Sequence, residues 1–185
     1  MNRVVTSREA ILQVCRAMVS ENGLQSINMR AVARRCSTAL GSLYNYFPSK
    51  EELMAAAIES VWQDIFHRSS TCRMDMAFID YVVWIFESVK QGAQQYPNFF
   101  TAHSISFASD EKCKARQIMT QYFQHMRSGM LEVLDDDENV RSDAFSDKFT
   151  RSDLVDFTLS SLLYGLAWQK DSCCVLTEMI RRSIY

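Results

Sequence analysis

Residues that make turns are scarce in this chain, which has five glycines and two prolines among 185 residues. Most β-sandwiches carry turn signals about every 8–12 residues, and nucleotide-binding folds carry glycine-rich loops, so the composition argues against both. Hydrophobic residues make up 48% of the chain and recur at helical spacing, without an internal repeat or a convincing strand. The sequence therefore predicts an all-α fold of about nine helices.

Hydropathy and cysteine content indicate a cytoplasmic protein. No apolar run approaches the roughly 20 residues of a membrane span, and residues 1–8 lack the apolar core of a signal peptide. Six cysteines in a chain of this length do not make a disulfide scaffold. In a reducing compartment their default role is that of small buried apolar residues.

Motifs for catalysis and metal binding are missing from the sequence. It contains no glycine-rich phosphate loop, no serine elbow and no metal triad. The acidic run from Asp135 departs from a calcium loop, because Val140 stands at the glycine position and Ser146 at the glutamate position. The histidines are scattered: His67, His103 and His125. We therefore expect no enzyme activity, no cofactor and no bound metal.

The charge is distributed unevenly although the net charge is only −2. Residues 1–50 hold seven basic and two acidic residues, which gives +5, and residues 51–185 hold 13 basic and 20 acidic residues, which gives −7. A basic head on an acidic body is typical of a chain that docks on a polyanion with one end only.

Local signals define the first helices. Thr6 and Glu9 fit a capping box that starts one helix, and Gly23 fits its end. Asn28 is placed to cap a second, short helix, and Ser49 fits a capping box that starts the fourth. The acidic stretch 135–151 is predicted to be a mobile connection. The other helices are predicted at about 40–47, 49–68, 75–95, 98–108, 109–134, 152–169 and 173–184.

Residues 29–47 have the form of a helix-turn-helix, in which the second helix lies in the DNA major groove. The string VARRCSTALGSLYNYFPSKEEL, residues 32–53, strongly resembles the N-terminal signature of the TetR family of bacterial one-component transcriptional regulators. With the first helix, the resemblance covers about residues 8–62. The chain departs from the family pattern at Ser37, usually glycine, at Ala39, usually serine, and at Leu40, often lysine. The change at Leu40 suggests an altered operator.

The third helix has two different faces. At 100° per residue, Ser42, Asn45 and Tyr46 share one side, whereas Leu43 and Phe47 point toward a small core. Asparagine pairs with adenine, and hydroxyl groups reach bases or phosphates. Core packing is the alternative for the tyrosines. The family pattern implies these DNA contacts: Asn28, Arg30, Ser42, Tyr44, Asn45, Tyr46 and Lys50.

The resemblance also implies a homodimer, because one such unit covers only a few base pairs of a palindrome. In the family the last two helices form a four-helix bundle with the partner, and the alternative is that they close the core of one protomer. The candidate interface residues are Leu154, Phe157, Ser161, Tyr164, Gly165 and Trp168.

A ligand cavity lies among the middle helices in the family, and here those helices are rich in aromatic residues and methionine. Such a lining suits a small hydrophobic or aromatic effector, and ordinary core packing is the alternative. The candidate ligand-binding residues are Trp84, His103, Phe107, Met119, Tyr122, Phe123 and Met126.

The leading hypothesis is a dimeric repressor that binds double-stranded operator DNA and is released by a ligand. Residues 1–48 would form the DNA-binding domain, residues 49–185 the effector-binding and dimerisation domain, and the helix over 49–68 the connector. One alternative is a DNA-binding regulator triggered by cysteine oxidation, at Cys113 or at the Cys173–Cys174 pair. Another is a helical interaction module without DNA binding.

Overall fold

The computed structural model describes residues 7–67, 76–97, 99 and 114–185. Those residues contain α-helices, one short 3-10 helix over Leu24–Ser26 and no strand, so the predicted all-α class is confirmed. The predicted helix over 98–108 falls almost entirely outside the described residues. The described ranges contain eight α-helices: α1 Arg8–Asn22, α2 Met29–Arg35, α3 Leu40–Tyr44, α4 Lys50–His67, α5 Phe78–Gln95, α6 Lys114–Asp136, α7 Arg151–Ala167 and α8 Cys174–Ile184.

The described residues fall into two compact units. Unit 1 lies within residues 1–68 and 92–121, and unit 2 lies within residues 69–91 and 122–185. Unit 1 therefore contains α1 to α4 together, and unit 2 contains α7 and α8. None of the helices in the described part of the chain is long and apolar enough to cross a bilayer.

Three polar caps begin helices in unit 1. Asn28 and Ser49 cap α2 and α4 as predicted, accepting hydrogen bonds from Ala31 N at 2.9 Å and Glu52 N at 3.1 Å. The predicted cap of α1 is wrong. Ser7 is the cap, and its hydroxyl accepts a hydrogen bond from Ala10 N at 3.1 Å. The helix α1 therefore begins at Arg8, one residue later than predicted.

The core of unit 1 forms between the apolar sides of α1 and α4. Trp62 of α4 is fully buried, stacks on Phe66 and meets Phe99 edge-on at 5.5 Å. The end of α5 comes close to the same helix, because a Cβ atom added at Gly92 would lie 2.7 Å from the side chain of Ile65. Only glycine fits there without displacing that side chain.

In unit 2 the acidic stretch predicted to be mobile is held by hydrogen bonds. The carboxylate of Asp137 accepts from Phe78 N at 2.8 Å, from Asn139 N at 3.0 Å and from the hydroxyl of Tyr185. Burial of Asp137 raises the pKa of its carboxyl, but these donors outweigh burial and lower that pKa overall. Thr150 then begins α7 with a capping box. The polarity of this stretch is visible in the sequence. Its hydrogen bonds to Phe78 and Tyr185 could not be predicted, because they join residues far apart in the chain.

The turn between α2 and α3 contains a residue in the left-handed region. Ser37 has a φ of 52°, at the position where glycine was expected. A side chain there costs about 1–2 kcal/mol, and β-branching raises the cost. We expect Ser37→Gly to raise the free energy of unfolding by some tenths of a kcal/mol and Ser37→Val to lower it by about 1–2 kcal/mol. Urea denaturation at fixed protein concentration measures both.

The matched control is Ser128→Gly, at an exposed position within α6. Glycine within a helix lowers stability by about 0.5 kcal/mol relative to serine. The same substitution should thus raise the free energy of unfolding at position 37 and lower it at position 128. Equal destabilisation by both glycines would show that the turn carries no strain at Ser37.

Candidate nucleic-acid interface

The third helix and the turn after it place one side toward the core and the other toward solvent. Leu43 is completely buried and Phe47 is 2% exposed, as predicted. Tyr44 and Tyr46 are 46% and 39% exposed, and Asn45 is exposed as well. The two tyrosines are therefore not core residues, and side chains that can form hydrogen bonds cover one outer surface next to the helix-turn-helix.

Helix α3 is shorter than predicted. It ends at Tyr44, with Asn45 as its C-cap, instead of at residue 47. The backbone N–H groups of Tyr46 and Phe47 both donate to the carbonyl oxygen of Leu43 at 3.0 Å, so the last turn is tightened. Asn45 and Tyr46 are thus presented from a turn that follows the helix, and Ser42 is half-buried within it.

The side chain of Asn28 forms hydrogen bonds with the backbone of neighbouring residues. Its side-chain oxygen caps α2, and its amide nitrogen donates to the carbonyl of Ser26 at 3.4 Å. Both polar atoms of a residue that the family pattern assigns to DNA therefore already have partners. This places Asn28 as the residue that fixes the start of α2, where Arg30 is exposed.

Two arginines of the basic head are neutralised by the two carboxylates of the same segment. Arg35 forms a two-pronged ion pair with Glu21, with one N–O distance of 2.6 Å. Its hydrogen bond to Glu21 lowers the pKa of the carboxyl and raises that of the guanidinium. Arg16 contacts Glu9 at 2.9 Å and also the hydroxyl of Ser60. Both arginines serve to join helices.

Other cations of the head keep their charge uncompensated. Within the described part of the chain, no carboxylate contacts Arg8, Arg30, Arg34 or Lys50, and all four are exposed. Lys50 is the first residue of α4, next to the cap Ser49. A cation beside backbone N–H groups at the start of a helix is a suitable arrangement for a phosphate.

Unit 2 carries a second exposed surface, which is apolar. Phe157, Tyr164 and Trp168 of the C-terminal segment are 50%, 60% and 68% exposed. Val175 and Met179 of α8 are 71% and 50% exposed, and the sequence interpretation missed them. Their spacing of four residues on a helix was the signal for a shared face. We call these five residues the apolar patch.

The remaining candidate interface residues lie deeper in unit 2. Leu154 and Gly165 are buried within the protomer, and Ser161 is half-buried. A cavity of about 480 Å³ adjoins the apolar patch, with Phe157, Tyr164 and Met179 among its lining residues. Leu154 is thus placed in the core of a single chain, whereas Ser161 and Gly165 line this cavity.

Four of the seven candidate ligand residues have side chains in the described part of the chain, and they line neither of two cavities in unit 2. Trp84 is half-buried and stacks on Tyr81 at 5.4 Å, and Met126 is buried. Tyr122 and Phe123 are half-buried. The described residues include neither His103 nor Phe107, nor the side chain of Met119. A cavity of about 580 Å³ in unit 2 is instead lined largely by acidic and other polar groups, including Glu132 and Asp136.

Three described thiols have raised pKa values. Burial raises the pKa of Cys15 to about 12, and burial also raises the pKa values of Cys36 and Cys173. Such thiols are poor nucleophiles, because the thiolate is the reactive form. Cys113 lies outside the described residues. No group of His, Cys, Asp or Glu in the described ranges is arranged to hold a metal ion.

These features define a class: an all-helical protein with an exposed helix-turn-helix and a separate helical unit. Residues 11–57 match the family model described as "Bacterial regulatory proteins, tetR family". The HTH-type transcriptional repressor KstR of Rhodococcus jostii is 41% identical over 58 residues, 31% of this chain and 27% of that protein. The HTH-type transcriptional regulator UidR of Escherichia coli is 35% identical over 77 residues, 42% of this chain and 39% of that protein.

The fold agrees over nearly the whole chain. The solved structure of Salmonella enterica GusR superposes with a TM-score of 0.67 at 17% identity and covers 96% of each chain. Residues 11–57 therefore match the TetR family of bacterial regulatory proteins, and the overall fold resembles that of GusR. The sequence similarity to KstR and UidR spans only between about a quarter and two fifths of those proteins' length.

Asn28 supplies a prediction that separates its cap from any contact with DNA. Asn28→Ala removes the acceptor for Ala31 N, so we expect the free energy of unfolding to fall by about 1 kcal/mol. Asn28→Asp keeps an acceptor of equal capping strength and should leave stability within about 0.5 kcal/mol of wild type. Urea denaturation at fixed protein concentration checks both. An alanine variant as stable as wild type would refute the capping role.

Proposed function

We propose that this protein is a transcriptional repressor that binds a palindromic DNA operator as a homodimer and leaves it when a small hydrophobic or aromatic molecule binds. The observation that carries the proposal is the outer surface next to α3. Asn45 and Tyr46 are exposed there, while Leu43 and Phe47 hold the segment from behind. A short helix fixed by its buried side and polar on its exposed side suits insertion into a major groove.

The contacts with DNA divide by chemistry. Asn45 offers an amide that pairs with adenine, and the hydroxyl groups of Ser42 and Tyr46 lie in the same segment. Lys50 and the start of α4 would hold a phosphate and set the orientation of the head. Arg30 adds a further cation. Asn45 is therefore proposed as a base-reading residue and Lys50 as a positioning residue.

The apolar patch supports dimerisation. A soluble chain rarely leaves five large apolar side chains exposed on two adjoining helices unless another surface covers them. A two-fold symmetric dimer buries such a patch against its own copy and presents two heads to the two halves of a palindrome. The family resemblance points to the same pair of helices.

Release by a ligand requires that the ligand prefer the arrangement that does not bind DNA. A preference of a few kcal/mol is enough to shift the equilibrium. We favour a ligand over oxidation of the Cys173–Cys174 pair as the trigger, because burial raises the pKa of Cys173 and so lowers its thiolate fraction. If peroxide abolished DNA binding by the wild-type protein and the Cys113→Ser variant still bound DNA, cysteine oxidation would be the favoured trigger.

DNA binding itself is tested by electrophoretic mobility shift with duplexes from the region flanking the protein's own gene. Asn45→Ala should reduce the preference for the operator over scrambled DNA by about 1–3 kcal/mol, because it removes a base contact. Lys50→Gln should weaken binding to both duplexes alike, because it removes a phosphate contact.

The control for this pair is Lys148→Gln, an exposed lysine in unit 2. It should leave both affinities unchanged. Failure of the wild-type protein to bind any such fragment in a salt-sensitive manner would contradict the proposed function. Equal effects of Asn45→Ala on both duplexes would remove Asn45 from base reading.

Dimerisation is tested by placing a charge in the apolar patch. Trp168→Glu and Tyr164→Glu should shift the protein toward monomer, because an unpaired carboxylate would be buried in the interface. Operator affinity should fall together with the dimer fraction. Sedimentation velocity over a range of protein concentrations measures the dimer fraction, and mobility shift measures the operator affinity.

The matched control is Val83→Glu, which puts the same charge at a 39% exposed apolar residue of α5 outside the patch. It should leave the oligomeric state unchanged. A wild-type protein that sediments as a monomer at the concentrations where it binds its operator would exclude the symmetric dimer.

A further inference from the structure

Arg8 is held at the edge of the helix-turn-helix by an aromatic ring. Its guanidinium carbon lies 5.3 Å from the centroid of the Phe47 ring, within the range of a cation–π contact. Phe47 is only 2% exposed, so the ring beneath the guanidinium is fixed by the core. Arg8 itself is exposed, which leaves its N–H donors available on the solvent side.

The contact places Arg8 close to residues that are proposed to face DNA. Phe47 is two residues beyond Asn45 and three before Lys50, so at most about 11 Å of chain separates the Cα atoms of Phe47 and Lys50. Arg8 belongs to α1, which is distant from this segment in sequence. The cation–π contact thus adds a charge from α1 to the end of the helix-turn-helix.

The charge of Arg8 is not stabilised by its position at the start of α1. Arg8 is the first residue of α1, where the partial positive charge of the helix end disfavours a cation. Its neighbour Glu9 is paired with Arg16, and no carboxylate among the described residues contacts Arg8. The same unfavourable placement recurs at Arg30 in the first turn of α2 and at Lys50, the first residue of α4.

Arg151 shows how the chain treats the same arrangement elsewhere. It is the first residue of α7 in unit 2, and its guanidinium stacks on Phe145 at 4.5 Å. There the charge is compensated by Asp135, 3.0 Å away. The first turns of α1 and α4 also contain Glu9, Glu51 and Glu52, but among the described residues no carboxylate contacts Arg8, Arg30 or Lys50. An external anion would compensate these three cations.

We propose that Arg8 is a further DNA-backbone contact, whose guanidinium is oriented by Phe47 to hold one phosphate of the operator. The inference rests on the proposed function and adds a residue to its interface. A stacked guanidinium has lost much of its rotamer freedom before binding, and its planar fork offers two donors to a phosphate. A phosphate contact does not depend on the base sequence, so Arg8 strengthens binding to any duplex.

The test measures the affinity of the full-length protein for its operator and for scrambled duplex at 50–300 mM salt. Each phosphate contact contributes about 0.9 to the slope of log K against log salt. Arg8→Gln should reduce the slope by about 0.9 per head and, at 0.1 M salt, lower affinity about eightfold per head. Arg8→Lys should keep most of the slope because it keeps the charge. Arg151→Gln is the matched control and should change neither quantity.

Three results would overturn the assignment of Arg8. They are an unchanged slope and affinity in Arg8→Gln, a loss of affinity without a change of slope, and an equal loss in Arg151→Gln. The second result would make Arg8 a structural residue, and thermal unfolding of each variant shows whether the head has been weakened. In all three cases the wild-type protein still binds its operator, so the proposed function stands. Absence of wild-type binding would instead contradict both proposals.

Discussion

The burial of Leu43 and Phe47 is the interaction on which the DNA-binding surface depends. The helix α3 has five residues, far fewer than the roughly 12–15 at which an isolated helix becomes even marginally stable in water. Its conformation must therefore come from packing. Leu43 anchors the helix and Phe47 anchors the turn after it, and both are buried in the core of unit 1. The positions of Asn45 and Tyr46 follow from these two anchors.

Much of unit 1 could be predicted from the sequence because its signals are local. A cap acts over three residues, and helical periodicity predicts the burial of Leu43 and Phe47, although Phe47 lies in the turn after α3. The misplaced cap of α1 is instructive, since Thr6 and Ser7 are adjacent and have nearly the same chemistry. Only the position where the backbone enters the helix distinguishes them, and Ser7 is the residue that does so.

The structure also shows what single residues do that a pattern cannot reveal. Asn28 matches a family position for a DNA contact, yet both of its polar atoms are bound to backbone groups. Arg35 and Arg34 are neighbours in sequence, but only Arg35 reaches Glu21. In unit 2, Asp137 links Phe78 and Tyr185, residues separated by 59 and 48 positions from it. Contacts of that kind depend on the tertiary fold, and no local pattern encodes them.

The two proposed interfaces depend on different forces, which makes them separable. Phosphate contacts of the head weaken steeply with salt, because binding releases counterions from the duplex. Burial of the apolar patch is driven by the removal of apolar surface from water, which excluded salts such as sulfate strengthen. Raising sulfate concentration should therefore dissociate the protein from DNA while leaving the dimer intact. A dimer that fell apart as readily as the DNA complex would indicate that charge, and not the apolar patch, holds the two copies together.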